Sequence, residues 1–242
     1  MKIDIYGSGS SGNAYLVSDS KTSLLIECGI PFKKIQEKSN FTINQVEGCL
    51  CSHAHADHAK ACCDVMKRGI DIYTSNGTIK ALGLSGHRVQ PIESMKQFSC
   101  GTFAIMPFDV EHDADEPLGF LIQSSHTGEK LLYFTDTCYL KYKFEGVTHM
   151  MAEANYSIGI LNKNAETDPS AAALKNRIIQ THMSIENLVV MLKENDLSKL
   201  QQIYLIHMSE SNADPEEFKK TIQQLTGAEV YAAQKEGLCQ SK

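Results

Sequence analysis

The chain has no stretch approaching the ~18 consecutive apolar residues that a membrane-crossing helix requires, so a helical membrane span is excluded. A basic start followed by an apolar block is missing as well. Met1, Lys2, Ile3, Asp4 and Ile5 alternate in polarity, and the expectation is a cytoplasmic protein rather than a secreted one. Arginine is scarce, with only Arg68, Arg88 and Arg177, and 23 basic residues against 29 acidic ones leave a formal charge of −6. That balance argues against a net-basic DNA-coating protein but leaves short local patches open. The eight cysteines include no CxxC pair, since one residue separates Cys49 from Cys51 and Cys62 adjoins Cys63. Reduced thiols, mostly buried and inert, fit that usage. Repeats, linkers and low-complexity tracts are also missing, so residues 1–242 are read as a single domain.

What is present suits a globular protein, with 42% hydrophobic and 21% charged residues. Short apolar runs punctuated by Gly, Ser and Asp predict strands over 2–6, 14–18, 23–27 and 48–52. Further strands are predicted over 70–73, 102–108, 118–123, 130–135, 148–152 and 202–207. Helical periodicity covers 32–38, 58–67, 76–82, 170–180, 185–194 and 216–225. Asp168-Pro169 and Asp214-Pro215 each place a side-chain acceptor at the cap and a proline ring at the first helical position. Mixed strands and helices without a break imply a layered α/β or α+β domain.

Gly7, Gly9 and Gly12 spell GxGxxG after a strand, with Glu27 about 20 residues on, as in dinucleotide-binding folds. That fingerprint works only when its last glycine opens a helix whose amides hold a pyrophosphate. Here Ala14 to Val17 continue as a strand, so the glycines are read as a turn that needs backbone freedom.

The chemistry is concentrated in His53, His55, Asp57 and His58, an HxHxDH run that follows the strand at 48–52. Imidazoles and a carboxylate so close together suit a divalent ion of borderline hardness, namely Zn, Mn or Fe. In an extended loop His53 and His55 point the same way and can share one ion, while Asp57 and His58 open a helix and can face a second. Four groups are too few for two ions, which predicts more ligands at later strand ends. His112, Asp136 and His207 stand in such places.

In that order, these seven residues resemble the metallo-β-lactamase superfamily over nearly the whole chain. The resemblance implies a four-layer αββα sandwich with a dinuclear centre. His53, His55 and His112 would hold one metal and Asp57, His58 and His207 the other, with Asp136 and a water bridging them. The run from Glu111 to Phe120 lacks the Thr-Pro-Gly-His-Thr turn of thioester, lactone and glyoxalase-type members. Together with GSGSSGN at 7–13, it is similar to the WalJ/YycJ-like subgroup, and more loosely to tRNase Z and cyclic-phosphate phosphodiesterases. Glu153 resembles a carboxylate that partners a ligand histidine, and the segment from Thr181 to Ser184 resembles a His-Ser-Thr stretch that places His182 on the scissile phosphate. Glu27 and Cys138 depart from the family pattern without removing a ligand, and Cys138 is read as outside the ligand set.

The resemblance therefore implies hydrolysis of phosphodiester bonds by a bridging hydroxide, with nucleic acid or a small diester as substrate and an exonuclease-like action. Asp57 and His182 are assigned to the catalytic step. The alternatives are a thioester or lactone hydrolase on the same scaffold, or a non-enzymatic module that binds metal or nucleic acid.

Overall fold

The computed structural model describes residues 1–233, and Cys239 lies outside them. The described residues fall into two compact units, one of 1–109 with 114–129, the other of 110–113 with 130–233.

In the first unit, β1 (Lys2–Gly7), β2 (Ala14–Ser18), β3 (Ser23–Ile26), β4 (Gly48–Leu50), β5 (Ile72–Thr74) and β6 (Val89–Pro91) form a six-stranded sheet in chain order. β1 to β3 are antiparallel and β3 to β6 parallel. Connection length decides the switch. Tight turns join the first three strands, whereas the later crossovers carry α1 (Phe32–Lys38), α2 (Ala56–Ala59), α3 (Cys62–Lys67) and α4 (Asn76–Leu82). Leu24, Leu25, Ile26, Cys49 and Leu50 are wholly buried, as expected of parallel strands covered on both faces. Cys28, Cys51 and Cys62 join Ile35, Val65 and Ile72 in the same core. All seven described cysteines are free thiols, five of them buried, with Cys63 exposed and Cys138 half-buried. β7 (Phe98–Cys100), β8 (Phe103–Asp109) and β9 (Leu118–Ser124) pair antiparallel in the same unit.

The second unit is built on four parallel strands, β10 (Lys130–Phe134), β11 (His149–Glu153), β12 (Gln202–Ile206) and β13 (Glu229–Ala232). Parallel pairing brings the carboxyl ends of β10, β11 and β12 to one edge, where loops can gather functional groups. α5 (Ile158–Thr167), α6 (Pro169–Thr181), α7 (Ile185–Glu194) and α8 (Pro215–Thr226) complete this unit. Both expected caps form. The Ser170 amide donates to Asp168 at 2.8 Å, and the Glu217 amide donates to Asp214 at 3.1 Å.

The helix predicted over 58–67 is broken into α2 and α3, because the Ala61 amide donates to the Cys28 carbonyl at 2.8 Å instead of continuing a helical ladder. β6, β7 and β13 are three or four residues long, too short for periodicity to reveal them. α5 buries Leu161 alone and so carries no apolar stripe. The GxGxxG segment is a turn into β2, and a Cβ on Gly12 would lie 2.5 Å from the Gly29 carbonyl oxygen. No helix among the described residues is long and apolar enough to cross a membrane.

Asp19, in the β2–β3 turn, ties three parts of the first unit together. Its carboxylate accepts from the Lys21 and Thr22 amides and from the Thr102 and Ser124 hydroxyls, at 2.5 to 3.0 Å. Burial works against its charge, but these donors outweigh burial and hold the carboxyl well below the ordinary range. Because the folded state binds that proton more weakly than the unfolded chain, the tie stabilises the fold above about pH 4 and is lost as pH falls further. Asp19→Ala should lower the unfolding free energy near neutral pH by about 2 kcal/mol. It should also flatten the decline in stability below about pH 4. Urea midpoints at neutral and acid pH read both effects, and an acid decline as steep in the variant as in the wild type would refute the assignment.

Candidate metal centre

Four of the seven candidate ligands lie in the first unit. After β4 the chain stays extended, and the Ser52 amide donates to both Glu27 carboxylate oxygens at 3.3 Å. His53 follows, buried, with its Nδ1 at 2.9 Å from the Ser52 hydroxyl. His55 is the N-cap of α2, its carbonyl accepting from the His58 and Ala59 amides at 2.9 Å, so Asp57 and His58 occupy the first turn. The ring centroids of His53 and His55 are 4.8 Å apart and those of His53 and His58 4.3 Å apart. His53, His55 and His58 therefore converge on one small volume.

Asn13, which the sequence reading missed as a site residue, holds this loop in place. Its amide nitrogen donates to the Asp57 carbonyl at 3.1 Å and lies 3.2 Å from His58 Nε2, while its backbone N–H donates to the same carbonyl at 2.7 Å. Opposite it, the Cys28 amide donates to the His58 carbonyl at 2.8 Å. A Cβ on Gly29 would fall 1.7 Å from the Asp57 oxygen, so only glycine allows this approach. Glu27 Oε2 is 3.7 Å from His58 Nδ1. The available clue was the GSGSSGN string, whose last residue is Asn13.

The second unit gathers the other three ligands together with Glu153 and His182. His112 Nδ1 lies 3.2 Å from the Thr181 carbonyl, which can only accept, so Nδ1 carries a proton, and its Nε2 lies 3.2 Å from Asp113 Oδ1. That Nε2 sits 3.4 Å from Asp136 Oδ2, a spacing suited to two ligands of one cation. Asp136 Oδ1 accepts from the Thr135 hydroxyl at 3.0 Å and lies 3.4 Å from His207 Nδ1. Asn155 fastens His207 by donating to its carbonyl at 2.8 Å.

Glu153, wholly buried at the end of β11, binds both remaining histidines. Its Oε1 is 2.7 Å from His182 Nδ1 and 3.3 Å from His207 Nδ1, and its Oε2 accepts from the Thr137 and Met183 amides. Burial would raise the Glu153 carboxyl, but the His182 charge and the hydrogen bonds from His182 and His207 hold it below its ordinary value. Burial likewise opposes the His182 cation, and Glu153 overcomes it and raises that imidazole. The candidate donor atoms of Asp136, Glu153, His182 and His207 all lie within 4.8 Å of one another. His182 closes α6 as its C-cap, and its ring stacks on His207 at 5.5 Å.

Glu27, Asp136 and His207 have φ of 60°, 49° and 52°, and each comes within two residues of a strand end. This left-handed region costs a residue with a Cβ about 1–2 kcal/mol, and such strain is held where a side chain must be aimed.

Buried imidazoles and carboxylates at strand ends, several with a second-atom hydrogen bond fixing the tautomer, are the donor set of a divalent-metal protein. The model of a family described as "Beta-lactamase superfamily domain" matches residues 22–208. The chain belongs to the metallo-β-lactamase superfamily, has its mixed α/β fold of sheets flanked by helices, and is a metal-dependent hydrolase. It is similar to the exodeoxyribonuclease WalJ of Streptococcus pneumoniae, with 28% identity over 228 residues covering 87% of this chain and 82% of that one. It is 25% identical over 244 residues to the exodeoxyribonuclease YycJ of Bacillus anthracis, covering 93% and 89%. Among solved structures it resembles the metallo-β-lactamase fold protein YhfI of Bacillus subtilis, with a TM-score of 0.72, 16% identity and 96% of each chain covered.

Asp136→Gly should be more stable than Asp136→Ala by about 1 kcal/mol, since both lose the carboxylate and only one relieves the backbone. Urea unfolding of the two variants side by side decides this, and equal midpoints would show that the left-handed turn carries no strain.

Proposed function

We propose that this protein is an exonuclease-like phosphodiesterase of nucleic acid whose residues 1–242 act as one domain with two divalent cations, zinc or manganese foremost and iron third. In this reading His53, His55 and His112 would hold one cation and Asp57, His58 and His207 the other, and Asp136 would serve both. The observation that carries the proposal is the likeness to two exodeoxyribonucleases over more than four-fifths of both chains. The donor chemistry supports it independently, because His112 Nε2 and Asp136 Oδ2 lie 3.4 Å apart while the Thr181 carbonyl holds His112 by its other ring nitrogen.

When bound, a pair of divalent cations supplies an activated water and neutralises charge on the phosphoryl oxygens. The chain must then assist the departing alkoxide. His182 is suited to that task because Glu153 holds its Nδ1 at 2.7 Å, orienting the ring and leaving Nε2 to carry a proton to the leaving oxygen. Glu153 does not touch substrate in this scheme. It positions His182 and steadies His207, while the Thr137 and Met183 amides fix the carboxylate itself. Asn13 and Gly29 keep the Asp57–His58 backbone where its side chains can serve as ligands.

Hydrolysis of bis(p-nitrophenyl) phosphate and of a DNA oligonucleotide should disappear on chelation and return with zinc or manganese. Asp136→Ala should lose both metal and activity. His182→Ala should keep its metal content and slow turnover by about 100-fold or more. Metal analysis alongside kinetics checks all three, and metal loss in His182→Ala would make His182 a ligand instead of a proton donor. Turnover of thioesters or lactones with no phosphodiester cleavage would replace the nuclease reading with the alternative hydrolase.

A further inference from the structure

The glycine turn at 7–13 has a part that neither the sheet nor the metal loop uses. Its frame is fixed from within. The Gly12 amide donates to the Gly9 carbonyl at 2.9 Å, the Gly9 amide donates to Asn13 Oδ1 at 2.9 Å, and the buried Ser8 hydroxyl lies 3.0 Å from that of Tyr15. Ser10 and Ser11 are left exposed at its tip. A cavity of about 400 Å³ opens here, lined by Ser11 from the turn and by Lys34, Glu37 and Lys38 from α1. That volume falls within the ~300–1,000 Å³ of ordinary ligand sites.

The lining is positive although the chain as a whole carries a charge of −6. Lys34 is exposed and Lys38 half-buried, while the Glu37 carboxylate already has the ammonium of a third lysine, Lys33, at 3.9 Å. The cavity is also tied to the ligand loop through backbone. Ile30 in its wall packs so closely on the turn that a Cβ at Gly7 or Gly12 would fall 2.9 or 2.7 Å from its Cγ2. Gly29, one residue earlier, is the residue that touches the Asp57 carbonyl. A group held in the cavity is therefore set at a fixed offset from the backbone of Asp57 and His58.

We propose that this cavity is a phosphate subsite, in which Ser11, Lys34 and Lys38 hold a phosphate of the nucleic-acid backbone other than the one that is cut. The inference rests on the nuclease reading and gives that reading a second point of attachment for its substrate. Serine hydroxyls and lysine ammonium groups are the side chains that meet phosphate oxygens, and such contacts position a strand without reading its sequence. The internal bonds of the turn set Ser11 before the strand arrives, so little freedom is lost on docking. One anchored phosphate fixes the register of the strand, which is how a chain with few basic residues can still place a long substrate.

The test compares two substrates on the full metal-loaded chain: a DNA oligonucleotide, and bis(p-nitrophenyl) phosphate, whose single phosphate cannot fill the centre and the cavity together. Lys34→Ala combined with Lys38→Ala should raise KM for the oligonucleotide about tenfold, the scale of one lost charged hydrogen bond. The ratio of kcat/KM for the oligonucleotide to that for the small diester should fall by the same factor, and Lys34→Arg with Lys38→Arg should restore it. In fluorescence anisotropy with a phosphorothioate duplex, which resists cleavage, the double alanine variant should reduce the slope of log K against log salt by about 0.9. An unchanged ratio and slope, or an equal loss on both diesters, would overturn the proposal. So would a lowered urea midpoint that arginine does not restore, which would mark the lysines as structural. Lysine-dependent binding of inorganic phosphate with unchanged affinity for the duplex would overturn it as well, by assigning the cavity to a small anion. Lysine-dependent duplex binding by a chain that cleaves no phosphodiester would sustain this subsite while removing the nuclease reading.

Discussion

Aiming polar side chains off the ends of buried parallel strands is the constraint from which the rest of this structure follows. A strand covered on both faces has no room for a carboxylate or imidazole along its length, so such groups collect where the ladder stops. Glu27, Asp136 and His207 turn immediately there by adopting a backbone region that residues with a Cβ ordinarily avoid. Each turn is held by bonds that would be lost if it relaxed. The Glu27 amide reaches the Leu50 carbonyl at 2.8 Å, Thr135 grips Asp136, and Asn155 grips His207. The strain is thus supported by neighbours whose own positions are set by the sheets.

Around these turns, the supporting groups are as specific as the ligands. Asn13 sits 44 residues before Asp57 yet fixes its backbone from both main chain and side chain. Glu153 has each oxygen committed, one to two imidazoles and the other to two amides. Low dielectric strengthens such bonds when they are satisfied and penalises any that are not, so a single substitution here disturbs several partners.

Much of this was legible in the sequence because it rests on local pattern. The strand and helix placements over 14–18, 32–38, 76–82 and 185–194 coincide with the elements found, and the Asp-Pro caps form as their residue types require. The candidate ligands could be named because HxHxDH is dense and the later His and Asp residues follow apolar runs. Three things were not legible, for physical reasons. The break in the 58–67 helix depends on a carbonyl 33 residues earlier, at Cys28. The clamp by Asn13 depends on a glycine at 29 that lets two backbones touch. β13 exists because β12 offers it an edge, not because its four residues prefer to be extended.

The contact between Gly29, Asn13 and the Asp57–His58 backbone makes the proposed ligands depend on the first sheet. Four of the proposed ligands stand on a loop whose shape is borrowed from two distant parts of the first sheet. Until that sheet has assembled, the chain cannot present those donors in a usable arrangement, so any loss of order in the first sheet would also scatter the proposed ligands.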